Sequence, residues 1–198
     1  MNETTGCKRT AILTAARQLI AEQGFHGTPT AMIAKQAGVG AGTIYRYFEN
    51  KDELICAIHA ELEAKLRAHM DEGYDRSLGV RERFVHLMKR LLRYLLENHT
   101  DFRFLEQFYN SPFGAGLRRD RLLATGSVCG QGEDDKLRGV IEAGQRLGTV
   151  KSLPLLVLHA LAIGPIVFLV KDVNAGLISL DDALIEACIA GCWSAIAA

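Results

Sequence analysis

The stretch Thr28–Lys51, TPTAMIAKQAGVGAGTIYRYFENK, decides how the chain is read. Threonine followed by proline marks a helix start, with a hydroxyl to cap and a proline in the first turn, where its missing N–H does no harm. From there Met32, Ile33, Ala34 and Ala37 carry a short helix to Gly38. A third short helix is expected from about Ala41 to Phe48, with Ile44 and Phe48 one turn apart. Two such helices around a tight glycine turn form a helix-turn-helix. Helices this short are marginal alone, so the helices before and after must pack on them.

Val39, Ile44 and Phe48 are the inward anchors of this arrangement, which turns Ala41, Gly42, Thr43, Tyr45, Arg46 and Tyr47 outward. Alanine and glycine let a backbone approach a groove closely, and the hydroxyls of Thr43, Tyr45 and Tyr47 can donate to phosphates. Lys51 adds charge at a helix start, where free N–H groups already favour an anion.

The neighbouring pattern is helical almost throughout, and alternation of period two is nearly absent. Upstream, Ile12, Ala15, Ala16, Leu19 and Ile20 form a stripe stopped by Gly24. Downstream, Asn50 and Glu53 resemble a capping box opening a long helix from Lys51 to about Met70, with Leu54, Ile55, Ile58 and Leu62 on its apolar side. Phe84, Leu87, Met88, Leu91, Leu92 and Leu95 form the next stripe, followed by the aromatic segment DFRFLEQFYNSPF, residues 101–113. Residues 114–132 are glycine-rich and read as a short helix with flexible flanks; DDKLRGVIEAGQRLG is a further helix stopped by Gly148. Two strongly helical pieces, 153–173 and 180–197, end the chain. The expectation is all-α, with a helix-turn-helix head over residues 1–52 and a larger helical body over 53–198.

The 198 residues are 48% hydrophobic and 23% charged, an ordinary globular balance. Net charge is zero, but residues 1–51 carry six Lys/Arg against three acids, a local +3 that leaves −3 on the rest. A basic head on a mildly acidic body points the N-terminal part towards a polyanion. Five scattered cysteines without a CxxC pair argue against a disulfide framework and for a reducing compartment. MNETTGCKRT is polar, so no signal peptide is expected. The run LPLLVLHALAIGPIVFLV, residues 153–170, has no formal charge and is just long enough to span a membrane. A helix buried on all sides reads the same way, and with a Gly164-Pro165 break and no second span that is the reading taken.

GTPTAMIAKQAGVGAGTIYRYFENKDEL resembles the DNA-binding head of the TetR family, the tetracycline-repressor-like regulators. It shares a threonine, then IA, AGV, GT-aliphatic-Y, an aromatic pair and xxK, about a dozen positions at fixed spacing over a quarter of the chain. The resemblance implies an all-helical homodimer whose two recognition helices enter successive major grooves of a double-stranded operator and whose body binds a small molecule that releases DNA; the expectation is a cytoplasmic repressor without catalysis or cofactor. By position, it implies phosphate contacts for Thr28, Tyr45, Tyr47 and Lys51, with Lys35 a further one, and base edges for Ala41, Gly42, Thr43 and Arg46. Gly40 stands where many relatives have a serine cap, and Ala41 lacks a hydrogen-bonding side chain, so base reading leans on Thr43 and Arg46.

The body resembles the AcrR-like group more loosely. Phe84, Met88, Tyr94, Phe104, Phe108, Tyr109 and Phe113 are the candidates to line a pocket for a small, largely apolar or aromatic effector; core packing is the alternative for each. Ala183, Ala187, Gly191 and Ala195 recur every four residues along the last helix, and with Trp193 they are expected to meet a second copy. The six histidines lack compact metal-ligand spacing, and no Ser-His-Asp, P-loop or GxGxxG pattern occurs. The rival readings are an all-helical enzyme and a membrane-associated adaptor built on residues 153–170.

Overall fold

In a computed structural model, residues 3–123 and 136–198 are described. Cys129 and the stretch 124–135, which includes much of the expected glycine-rich helix and the first residues of the one after it, lie outside them. Ten helices occur among the described residues: α1 (Glu3–Gln23), α2 (Thr30–Gln36), α3 (Ala41–Ile44), α4 (Lys51–Asp71), α5 (Val80–Glu97), α6 (His99–Tyr109), α7 (Pro112–Leu123), α8 (Lys136–Arg146), α9 (Leu155–Asn174) and α10 (Asp182–Ile196). The chain is all-α, as its periodicity predicts. The one strand-like pairing among the described residues is an isolated antiparallel bridge between Val150 and Ala197.

Two compact units form, one from residues 1–64 and 99–131, the other from 65–98 and 132–198. In the first, α1 packs most extensively on α6 and also on α2, which in turn holds α3. The stripe Ile12, Ala15, Ala16, Leu19 and Ile20 is buried, as are Ile33, Ala34, Ile44, Phe48, Leu54, Ile55, Ile58 and Leu62. Burying these apolar side chains is what holds helices of seven and four residues in place. Arg17 of α1 reaches the buried Asp101 of α6 at 2.8 Å.

In the second unit α5 packs on α8, α9 and α10, and α9 lies along α10. Phe84, Leu87, Met88 and Leu92 supply the inward stripe of α5. Lys89 pairs with Glu186, and the Asp181 carboxylate caps α10 by accepting from the Leu184 N–H at 2.8 Å.

Three expectations need correction. Helix α9 runs unbroken through Gly164 and Pro165. It is also not buried on all sides: only 22% of its apolar 18-residue window is covered within the chain. Leu156, Val157 and Phe168 are exposed on it, Phe168 by 69%. Among the cysteines, Cys7, Cys188 and Cys192 are free thiols, whereas Cys56 is disulfide-bonded, a pairing the scattered spacing did not suggest.

Candidate nucleic-acid interface

The local backbone builds the helix-turn-helix from its glycines and its one proline. α1 stops at Gly24, which adopts φ +72° and donates back to the Ile20 carbonyl at 2.8 Å. Pro29, in extended conformation, then caps α2 by offering its carbonyl to the N–H groups of Met32 and Ile33. At the other end Val39 N–H reaches the Ala34 carbonyl at 3.0 Å and Gly38 N–H the Lys35 carbonyl at 3.2 Å, a closure that needs the left-handed φ of +66° at Gly38. A side chain at Gly38 would meet nothing within 4 Å, so backbone conformation, not space, selects glycine there.

The second helix of the pair is shorter than its spacing predicts. α3 ends at Ile44, and Tyr45–Tyr47 form a turn in which Arg46 donates to Thr43 (3.2 Å) and Tyr47 to Ile44 (3.0 Å). Gly40 caps α3 without a side-chain hydrogen bond, as the missing serine implies. Ile44 and Phe48 point inward and are buried; Val39, the third expected anchor, is only half-buried. Ala41, Gly42, Tyr45 and Arg46 are exposed, and Thr43 and Tyr47 are half-buried. Lys35 is exposed in the last turn of α2.

Thr28 departs from expectation. It neither caps α2 nor faces solvent: its side chain is fully buried, and its hydroxyl donates to the Gly24 carbonyl at 2.8 Å. The hydroxyl that does reach this surface belongs to Thr30, within 3.2 Å of the Tyr45 hydroxyl. Sequence reading missed it because Thr28 and Thr30 flank the same proline, and either satisfies a helix-start pattern. Arg9, also passed over, places its guanidinium 5.4 Å from the centre of the Phe48 ring.

Lys51 is half-buried at the start of α4, and its ammonium donates to the Phe25 carbonyl. Burial holds its pKa below the usual lysine range, opposed by the neighbouring Asp52 carboxylate. The helix behind it is capped as expected on one side, Asn50 Oδ1 accepting from Glu53 N–H at 2.8 Å. The Glu53 carboxylate reaches back to Glu49 N–H (2.5 Å).

The expected ligand residues divide between the two units. Phe104, Phe108, Tyr109 and Phe113 belong to the first and are in ring contact with one another or with Phe25 and His59; His59 stacks on Phe108 at 3.9 Å between centroids. Phe84, Met88 and Tyr94 belong to the second and are buried. A groove of about 260 Å³ between α5 and α10 is lined by Arg81, Glu82, Val85, Glu186, Ile189 and Trp193, with none of the expected pocket residues on its walls.

Of the expected interface residues, Ala187 and Gly191 are exposed on α10 and Ala195 is half-buried. Trp193 is turned into its own chain, its ring 5.4 Å from that of Phe84.

Residues 12–58 match the family profile of bacterial regulatory proteins of the tetR family, and residues 60–198 match that of the tetracyclin repressor-like C-terminal domain. The fatty acid metabolism regulator protein of Bacillus subtilis strain 168 is 33% identical over 89 residues, 45% of this chain and 46% of that protein. The chain thus spans about half the length of the curated relatives it matches. The crystal structure of a TetR family transcription regulator from Marinobacter aquaeolei VT8 is 27% identical and superposes with a TM-score of 0.82 over 100% of this chain and 99% of that one. The fold is also that of the transcriptional regulator FadR from Bacillus subtilis, solved in complex with stearoyl-CoA, with a TM-score of 0.66 at 22% identity over 94% and 98% of the two chains. With both of its parts matched, this chain belongs to the TetR family of bacterial regulatory proteins.

Proposed function

We propose that this protein is a sequence-specific, DNA-binding transcriptional repressor that works as a cytoplasmic homodimer and leaves its operator when a small, largely apolar or aromatic molecule binds. Residues 1–52 form the DNA-binding part in this reading, and residues 53–198 the effector-binding and dimerising part. The observation that carries it is the face made by the exposed Ala41, Gly42, Tyr45 and Arg46 with the half-buried Thr43, on a short helix and turn whose buried anchors are Ile44 and Phe48. Thr43 and Arg46 read base edges, Ala41 and Gly42 allow close approach, and Thr30, Lys35, Tyr45, Tyr47 and Lys51 hold phosphates. Thr28 is left out, because its hydroxyl is spent inside the fold.

Dimerisation is supported by the uncovered apolar face of α9 and α10. Leu156, Val157 and Phe168 on the one, and Leu184 beside Ala187 and Gly191 on the other, stay exposed in the single chain. Pairing both helices with a symmetry mate buries them, and small residues let the helices approach closely. Two half-sites one turn apart then require heads spaced about 34–36 Å. An effector that favours another spacing weakens DNA binding by about 1–3 kcal/mol. The stearoyl-CoA complex of FadR supports an effector with a long apolar part.

The same apolar helix supports a second reading, a membrane-associated adaptor, since α9 is long and apolar enough to cross a bilayer. Flotation with lipid vesicles separates the two, and the dimer reading expects the protein to stay unbound. The main test is selection of binding sites from random duplex DNA. A two-fold symmetric site bound far more tightly than bulk DNA is expected, and Lys51→Ala should flatten the salt dependence of binding by about one unit. Equal affinity for selected and unselected duplexes would refute the proposal.

A further inference from the structure

We infer that Phe25 is a positioning residue for Lys51 and links the aromatic cluster of α6 and α7 to the phosphate-binding edge. The inference rests on the DNA-binding reading above and adds how one of its cations is aimed. Phe25 follows Gly24, where the chain turns away from α1, and its ring is seated edge-on against Phe104 (6.1 Å, 81°) and Phe113 (5.9 Å, 63°). Phe113 in turn lies 6.2 Å from Phe108, so the seat is part of a continuous aromatic pile. The carbonyl of that same residue accepts a hydrogen bond from the Lys51 ammonium. The ring therefore fixes the backbone, and the backbone fixes the lysine.

A free lysine spreads its charge over many rotamers and must give up that freedom when it grips a phosphate. An ammonium has three donors, and the Phe25 carbonyl uses one of them, leaving two for phosphate oxygens. The tether thus supplies orientation in advance. It also makes Lys51 answerable to the packing of α6 and α7, which lie in the same compact unit. Any rearrangement of Phe104, Phe108 or Phe113 that unseats Phe25 moves the carbonyl, and the ammonium loses its aim.

The test measures the salt dependence of binding to a duplex selected by the unsubstituted protein, using fluorescence anisotropy. Lys51→Ala is expected to lower the slope by about one unit. Phe25→Ala, which removes no charge, should lower it by a comparable amount, and the double variant should be no flatter than Lys51→Ala alone. Phe113→Ala should move the slope in the same direction, and Phe25→Tyr should restore it. If Phe25→Ala fails to fold by circular dichroism, Phe25→Leu gives the same reading with bulk retained. Unchanged slopes in Phe25→Ala and Phe25→Leu, or losses that add to that of Lys51→Ala, would overturn this inference and leave the regulator reading standing. Failure of the unsubstituted protein to bind any selected duplex would overturn both.

Discussion

Arg17 on α1 and Asp101 on α6 meet at 2.8 Å, with only 8% of the Asp101 side chain exposed. They are far apart in sequence, and the pair ties the helix that precedes the helix-turn-helix to the segment carrying the aromatic pile. A carboxylate this deeply withdrawn from water depends on its partners, whereas Arg17, 24% exposed, still reaches solvent. A double-mutant cycle with Arg17→Leu and Asp101→Asn, read by urea unfolding at fixed protein concentration, should give a coupling energy of about 1–3 kcal/mol. A coupling near zero would reduce the contact to an ordinary surface pair.

Thr28 and Thr30 should separate stability from binding. Thr28→Val removes a buried hydroxyl and leaves the Gly24 carbonyl without its 2.8 Å donor, which should cost about 1–2 kcal/mol of stability and leave the salt slope of DNA binding unchanged. Thr30→Val, at a half-buried site, should leave unfolding nearly unchanged and weaken DNA binding, because the Tyr45 hydroxyl loses its partner. Reversal of these two patterns would restore Thr28 to the contact surface.

Much of this fold was legible because α1, α4 and α5 each bury one stripe, and because Gly24, Gly38 and Gly148 adopt the positive φ their positions in the pattern imply. The end of α3 was not. Arg46 and Tyr47 bond to the third residue back before Phe48 N–H returns to the Ile44 carbonyl at 3.0 Å, and nothing in Tyr45, Arg46 and Tyr47 signals that local tightening. The exposure of Ala41, Gly42, Tyr45 and Arg46 was legible because α2 and the turn dictate what the buried Ile44 leaves outside. The links behind it were not: Arg17 with Asp101, and Phe25 with Phe104 and Phe113, join residues more than one helix apart, and periodicity carries no information about partners. An apolar helix such as α9 is equally ambiguous, since core, bilayer and subunit contact all select the same composition.

Phe168 offers the sharpest probe of how α9 is covered. It is 69% exposed in the single chain and lies on an apolar helix face, so Phe168→Glu should shift the protein from dimer to monomer in sedimentation velocity. Operator affinity should fall with it, because two heads on separate chains no longer share one binding event. Trp193→Ala should behave differently. Its ring packs on Phe84, so the loss should be about 2 kcal/mol of stability, with dimer retained. Dissociation by Trp193→Ala without loss of stability would put the interface on the wrong face of α10.

Cys188 and Cys192 stand one turn apart on α10, the first half-buried and the second buried. Burial first, and then the neighbouring Cys188, push the Cys192 thiol up to about 12. Held that far above neutral pH, Cys192 stays a thiol in ordinary buffers. The thiolate is the reactive form, so iodoacetamide should label the exposed Cys7 in the native protein and spare Cys192 until urea unfolds the chain. The sign for stability follows. An unfolded thiol ionises near its ordinary value of about 8.5, while the folded one keeps its proton to about 12. The unfolded state therefore sheds a proton that the folded state retains, and stability falls as pH rises through that window. Replacing Cys192 with Ala should remove that part of the alkaline loss. Labelling of Cys192 at the rate of Cys7 in native buffer would instead mark the pair as an accessible redox site.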